Sequence, residues 1–125
     1  MIRFYTEAFF EELGRRLNED ETWRRTAHGV SLRIVCSAVD LRRAFLIDVR
    51  DGRVTTDVAG PDTAADFRFE GHYEDWMHLC KGEAELDRLV QVGKMRVAGS
   101  MPALMGLMGV LNRIVVVARS FPKEF

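Results

Sequence analysis

Cysteine is scarce in this 125-residue chain, where Cys36 and Cys80 stand far apart in the sequence. Two distant cysteines do not make the disulfide framework of a small secreted domain. A long apolar run is also missing from the N-terminus, because Glu7, Glu11 and Glu12 interrupt it, so no signal peptide is expected. These absences favour a protein of the reducing cytoplasm.

An excess of one charge is missing as well. The chain has 18 lysines and arginines against 19 aspartates and glutamates, for a formal net charge of −1 at pH 7. Proteins that bind nucleic acids need a basic surface for the phosphates, so no nucleic-acid partner is expected. Because 47% of the residues are hydrophobic and 30% are charged, the composition predicts one globular domain over residues 1–125.

Helical patterns occupy the start of the chain. Apolar residues recur at spacings of three and four from Thr6 to Asn18, which is typical of a helix with one buried face. Thr6 is suited to cap this helix at its N-terminus. We expect Asp20 to cap a second, short helix that carries Trp23 inward and ends near Gly29.

Alternation with a period of two follows, and it predicts β-strands at residues 30–37, 44–50, 54–58 and 65–70. Asp51-Gly52 between two of these segments is a strong signal for a hairpin turn. Helical spacing returns at residues 72–81 and 86–90. Met95 and Val97 then form a short fifth strand that ends at Gly99.

The segment from Met101 to Ala118 is unusually apolar, since Asn112 and Arg113 are its only strongly polar residues. It is shorter than the roughly 20 apolar residues of a transmembrane helix, so no membrane span is expected. One interpretation is a helix buried on all sides by its own domain. Another is a helix whose second apolar stripe faces a cavity, a groove or a partner. Its methionines favour an adaptable surface, and Gly106 and Gly109 leave room for a close helix or a ligand.

Three stretches resemble the sterol carrier protein 2 (SCP2) domain family: residues 66–71, residues 79–82, and residues 89–100 leading into the apolar helix. The most recognisable element is the strand that begins at Gly93-Lys94 and ends at Gly99. The resemblance runs from about Phe4 to about Val116. It implies an α+β fold, with a five-stranded mixed sheet and helices packed on one face.

Ser100 departs from the family pattern, which commonly has an acidic or amide residue there. The chain also lacks the C-terminal targeting tripeptide of eukaryotic carriers, and it therefore looks like a free-standing microbial member. The family resemblance implies an apolar tunnel for fatty acids, acyl-CoA or sterols.

We therefore expect a non-enzymatic carrier that holds a fatty acyl chain, an isoprenoid or a sterol-like ligand between the sheet and the C-terminal helix, with no cofactor. Arg113 or Arg119 would meet a carboxylate or phosphate head group at the mouth. The predicted ligand-binding residues are Phe67, Phe69, Trp76, Leu104, Met105, Met108 and Leu111.

The family resemblance also implies an alternative, an accessory or dimerisation module for a larger system such as quinone biosynthesis. The C-terminal helix would then contact a protein partner or a second copy of the chain. Catalytic and metal sites are not expected. His72, His78 and Cys80 are spaced six and two residues apart, so they would diverge on a helix instead of converging on a metal or on a reacting group.

Overall fold

The computed structural model describes all 125 residues and contains six helices and five strands. The α+β class and the five-stranded mixed sheet predicted from the sequence are confirmed. The helices are α1 (Glu7–Glu19), α2 (Glu21–Thr26), α3 (Tyr73–Lys81), α4 (Leu86–Gln91), α5 (Met101–Gly106) and α6 (Met108–Arg119). The strands are β1 (Leu32–Ala38), β2 (Arg43–Arg50), β3 (Arg53–Val58), β4 (Phe67–Gly71) and β5 (Arg96–Ala98).

The strands lie in the order β3-β2-β1-β4-β5, and only the β1–β4 pair is parallel. Alternate residues of each strand point to the same face of a sheet. The face towards the helices is apolar, which explains why the period-two pattern located the strands. Its buried side chains are Leu32, Ile34, Cys36, Ala38, Phe45, Ile47, Val49, Val54, Phe67 and Phe69.

The opposite face of the sheet is covered by chain without helices. Residues 59–66 lead from β3 at one edge to β4 on the far side of β1, so they cross this face. The Arg68 guanidinium donates to three carbonyl oxygens of this crossing, at 2.5 to 3.1 Å. Val35 and Leu46, which pair across β1 and β2 on this face, are buried as a result.

Capping side chains position the first two helices as the sequence predicts. Thr6 accepts a hydrogen bond from the Phe9 amide at 3.3 Å, and Asp20 accepts one from the Trp23 amide at 2.7 Å. Trp23 is fully buried, and its indole Nε1 donates to the Gly52 carbonyl in the β2–β3 turn at 2.8 Å. The second helix is thereby tied to the hairpin.

The apolar segment predicted as one helix from Met101 to Ala118 forms two helices. Leu107 separates them with φ −110° and ψ 7°, and its amide donates to the Leu104 carbonyl. Glycine is a poor helix former, and Gly106 lies directly before the break. Cβ atoms added at Gly106 and Gly109 would meet nothing within 4 Å, so neither glycine serves a close helix contact.

Replacing Gly99 with alanine is expected to destabilise the fold by about 3 kcal/mol. Gly99 has φ +135°, and a Cβ there would lie 2.6 Å from both the Asp66 carbonyl oxygen and Phe67 Cδ1. Gly93→Ala is the control, because Gly93 has φ +79° but open space around it, and about 1 kcal/mol is expected there. Urea unfolding measures both. Equal losses for the two variants would contradict the predicted clash.

Candidate functional site

Helix α6 is held mainly by other helices. Its backbone packs against α1, α2 and α3, and not as closely against any strand. Val110, Leu111, Ile114 and Val117 are buried in this packing. Two spaces lined mainly by apolar side chains lie beside α6, and both also include side chains of the sheet.

The first of these spaces, called the groove below, has a volume of about 400 Å³. This lies within the range of about 300 to 1,000 Å³ that is usual for small-molecule sites. It is formed by α4, α5, the first turns of α6 and one residue of β4, and most of its lining is hydrophobic. The lining residues are Phe69, Leu86, Asp87, Val90, Gln91, Met101, Leu104, Met105, Met108 and Asn112.

The second space, called the inner cavity below, lies beside the second half of α6 and measures about 70 Å³. Its lining side chains come from the N-terminal segment, α1, β1, β2, α3 and α6. All of its lining residues are hydrophobic: Phe4, Tyr5, Phe9, Phe10, Leu13, Cys36, Ile47, Trp76, Leu79, Cys80, Ile114, Val115 and Ala118.

Tyr5 contributes the only hydroxyl group in the lining of the inner cavity. This hydroxyl is buried without a hydrogen-bond partner. Burial raises the pKa of Tyr5 well above its ordinary value, with smaller contributions from Cys36 and Asp40. The phenol is therefore uncharged at neutral pH.

The groove and the inner cavity follow one another along the same side of α6. Met108 and Asn112 line the groove and Val115 lines the inner cavity, and spacings of four and three keep them on one helix face. In the sheet, Phe69 of the groove pairs directly with Cys36 of the inner cavity. The two spaces therefore adjoin neighbouring residues of β4 and β1.

The groove brings together four of the seven ligand-binding residues predicted from the sequence: Phe69, Leu104, Met105 and Met108. Trp76 lines the inner cavity, and its Nε1 donates to the Ser37 carbonyl at 2.9 Å. Phe67 and Leu111 are buried in the core and line neither space.

Sequence reasoning missed the contribution of α4 to the groove. Leu86 and Val90 have the i, i+4 spacing of one helix face, so the signal for an apolar stripe was present. The stripe does not show which element it faces. In the sequence α4 and α5 are separated by β5 and the turns beside it, so their contact in space is not apparent. Tyr5 was missed because nothing in its local sequence marks an unpaired hydroxyl.

The two arginines proposed for a ligand head group already have partners. Arg113 makes a two-pronged ion pair with Asp20, with Nε and Nη2 at 2.8 and 2.7 Å from the carboxylate oxygens. Arg119 donates to the carbonyls of Leu79 and Ala84 at 2.9 and 3.1 Å. Both side chains are used to fasten α6 to its neighbours.

The thiols are poor nucleophiles in this environment. Cys36 is buried, which raises its pKa to about 12. Cys80 is buried as well, and burial raises its pKa while its Sγ lies 3.6 Å from the Ala118 carbonyl oxygen. A protonated thiol does not attack a substrate. His78 is directed to Glu74 at 4.0 Å, and no group of three His, Cys, Asp or Glu residues is placed to hold a metal ion.

A third space, called the polar basin below, has a volume of about 660 Å³. Val39 is its single hydrophobic residue. Charged side chains of both signs surround it, among them Glu70, Glu74, Lys94 and Arg96. Such a surface does not shelter an apolar molecule, whereas the groove and the inner cavity have mainly hydrophobic linings.

None of the six helices has both the length and the apolar character needed to cross a membrane. A family model described as the SCP-2 sterol transfer family matches residues 10–112, most of the chain. The chain belongs to the SCP-2 sterol transfer family. This SCP-2 family fold supports the binding or carrying of lipids in general, and its members are generally non-catalytic lipid-binding domains. A search of curated proteins found no match.

Solved structures have the same fold as this SCP-2 family chain. A crystal structure of sterol carrier protein 2 has a TM-score of 0.82 at 23% identity, with 96% of this chain and 100% of that chain covered. A Thermus thermophilus protein described as a possible sterol carrier has a TM-score of 0.78 at 23% identity, covering 98% and 92%. A UbiJ-SCP2 ubiquinone synthesis protein has a TM-score of 0.60 at 16% identity, covering 90% and 87%.

Asp20→Asn is expected to lower the free energy of unfolding by about 1 kcal/mol at pH 7, because it removes the charge that pairs with Arg113. Asparagine still caps α2. Hydrogen bonds from Arg113 lower the pKa of Asp20 from its ordinary 3.8. The pair therefore stabilises the fold above about pH 4, and its contribution is lost as the pH falls through the lowered pKa.

Urea unfolding at pH 7 and pH 3 measures this difference between the variant and the natural protein. Glu21→Gln is the control, since Glu21 is the adjacent exposed acid on α2 and makes no ion pair. A loss that stays equal at both pH values would contradict the role of the charge.

Tyr5→Phe is expected to raise the free energy of unfolding by about 1 kcal/mol, because it removes a buried hydroxyl without a partner. Tyr73→Phe, which changes a half-buried ring, should have little effect. Chemical unfolding of both variants measures this. Clear destabilisation by Tyr5→Phe would mean that the hydroxyl has a hydrogen-bond partner.

Proposed function

We propose that this protein is a non-enzymatic lipid carrier of the cytoplasm that holds one apolar chain or ring system in the groove beside α5 and α6. The observation that carries the proposal is the groove itself, an apolar space of about 400 Å³ that opens next to a helix with more apolar surface than its neighbours cover. The two buried, free cysteines support a reducing compartment.

Energetics support capture of a lipid in this space. Burial of one methylene group contributes about 0.8 kcal/mol, so ten enclosed carbons would offset the cost of association and leave several kcal/mol. Met101, Met105 and Met108 line the groove, and methionine side chains adapt to varied apolar shapes. The proposed binding residues are the groove members Phe69, Leu104, Met105 and Met108, with Trp76 in the inner cavity and Phe67 and Leu111 supporting them from the core.

A second candidate is an accessory or dimerisation module. It is favoured by the exposure of Met105, whose surface is 68% accessible, and of Met101 at 48%, together with the likeness to a protein named for ubiquinone synthesis. A protein partner or a second copy would then cover α5. Light scattering distinguishes the candidates, since a monomer that retains extracted lipid favours the carrier and an obligate, lipid-free dimer favours the module.

Met108→Trp is expected to weaken binding of a pyrene-labelled long-chain alcohol at least tenfold, because the larger ring fills the groove. The measurement is fluorescence titration of delipidated protein. Val58→Trp is the matched control, since Val58 is exposed on β3 at the opposite edge of the sheet, and it should leave the affinity unchanged.

Native mass spectrometry and lipid extraction of freshly purified protein complete the test. The carrier proposal fails if no lipid is extracted and the delipidated protein does not bind the probe. It also fails if Met108→Trp and Val58→Trp bind the probe equally well.

A further inference from the structure

We propose that the groove selects a lipid with an uncharged, hydrogen-bonding head group, an alcohol or a ketone, and discriminates against carboxylates and phosphates. This rests on the proposed function and narrows its ligand class. It departs from the expectation that Arg113 or Arg119 would meet an anionic head group.

None of the polar residues of the groove carries the positive charge that would pair with an anionic head group. Only Asp87, Gln91 and Asn112 interrupt its apolar lining. Gln91 and Asn112 carry amides, which both donate and accept hydrogen bonds and therefore suit a hydroxyl or a carbonyl group. Asp87 is an acid, and it would repel a carboxylate held nearby.

The cations of the neighbouring elements are directed elsewhere. Arg113 and Arg119 are held by Asp20 and by backbone carbonyls. Lys94 and Arg96 line the polar basin. Arg96 pairs with Glu70 in the β4–β5 register, whereas the groove residue Phe69 pairs with Val97, so Arg96 lies on the other face of the sheet.

Arg88 is the remaining cation on α4, and it does not belong to the groove lining. The α4 residues that do are Leu86, Asp87, Val90 and Gln91. Their spacing places them on one side of this short helix, and Arg88 is exposed beside them. The groove itself therefore offers no counter-charge for an anionic head group.

The inner cavity offers none either. Its lining is hydrophobic throughout, and the Tyr5 hydroxyl is uncharged at neutral pH. A carboxylate placed there would lose its hydration without gaining a cation or a network of donors, which is strongly unfavourable. An alcohol or ketone loses much less on leaving water. An anionic ligand is thus disfavoured in both the groove and the inner cavity.

The test uses a long-chain alcohol and the fatty acid of equal chain length, each competing with the pyrene-labelled alcohol at neutral pH. The alcohol should bind at least tenfold more tightly than the acid. Asn112→Arg places a cation in the groove, and it should raise the affinity for the fatty acid at least fivefold. Thr55→Arg is the matched control, because it adds the same charge at an exposed position of β3, and it should change neither affinity.

The possible outcomes distinguish a failure of this inference from a failure of the proposed function. If the fatty acid binds as tightly as the alcohol or more tightly, the inference is overturned and the carrier function stands. An equal gain from Asn112→Arg and Thr55→Arg would overturn it too, since net charge would then explain the effect. If neither lipid binds the natural protein, the proposed function fails and this inference fails with it.

Discussion

The attachment of α6 to the other helices is the constraint on which the rest of this structure depends. The Arg113–Asp20 ion pair holds α6 to the N-terminus of α2. Arg119 holds the last turn of α6 to the carbonyls of Leu79 in α3 and of Ala84 just after it. Neither link fills the groove or the inner cavity, so the stretch of α6 beside these two spaces is left to side-chain packing, and that packing is incomplete.

Incomplete packing is costly in a protein core, because atoms that line an empty space lose contacts on one side. The groove concentrates this cost at the N-terminal end of α6, where Leu107 interrupts the helix and α5 turns away. Methionines line the groove there, and their flexible side chains tolerate variable neighbours. Elsewhere the core contains the fully buried Trp23, and the aromatic cluster around Tyr5 encloses only the small inner cavity.

Local chemistry made much of the fold predictable. Thr6 and Asp20 cap their helices as their side chains suggest, Asp51-Gly52 forms the β2–β3 turn, and the period-two segments are the strands. The break at Leu107 was not predicted, because the apolar pattern runs through it without a polar residue or a proline. The roles of Arg113 and Arg119 were not predicted either, since their partners Asp20 and Leu79 lie 93 and 40 residues away.

By itself, the sequence determined the fold family, the order of the elements and the excess of apolar surface in the last segment. These properties depend on periodicity and on local capping, which are written in neighbouring residues. Only the tertiary structure decided where that excess surface lies open and which charges surround it. The groove is formed by α4, α5, α6 and one residue of β4, and its lack of a cation follows from ion pairs and hydrogen bonds between distant elements.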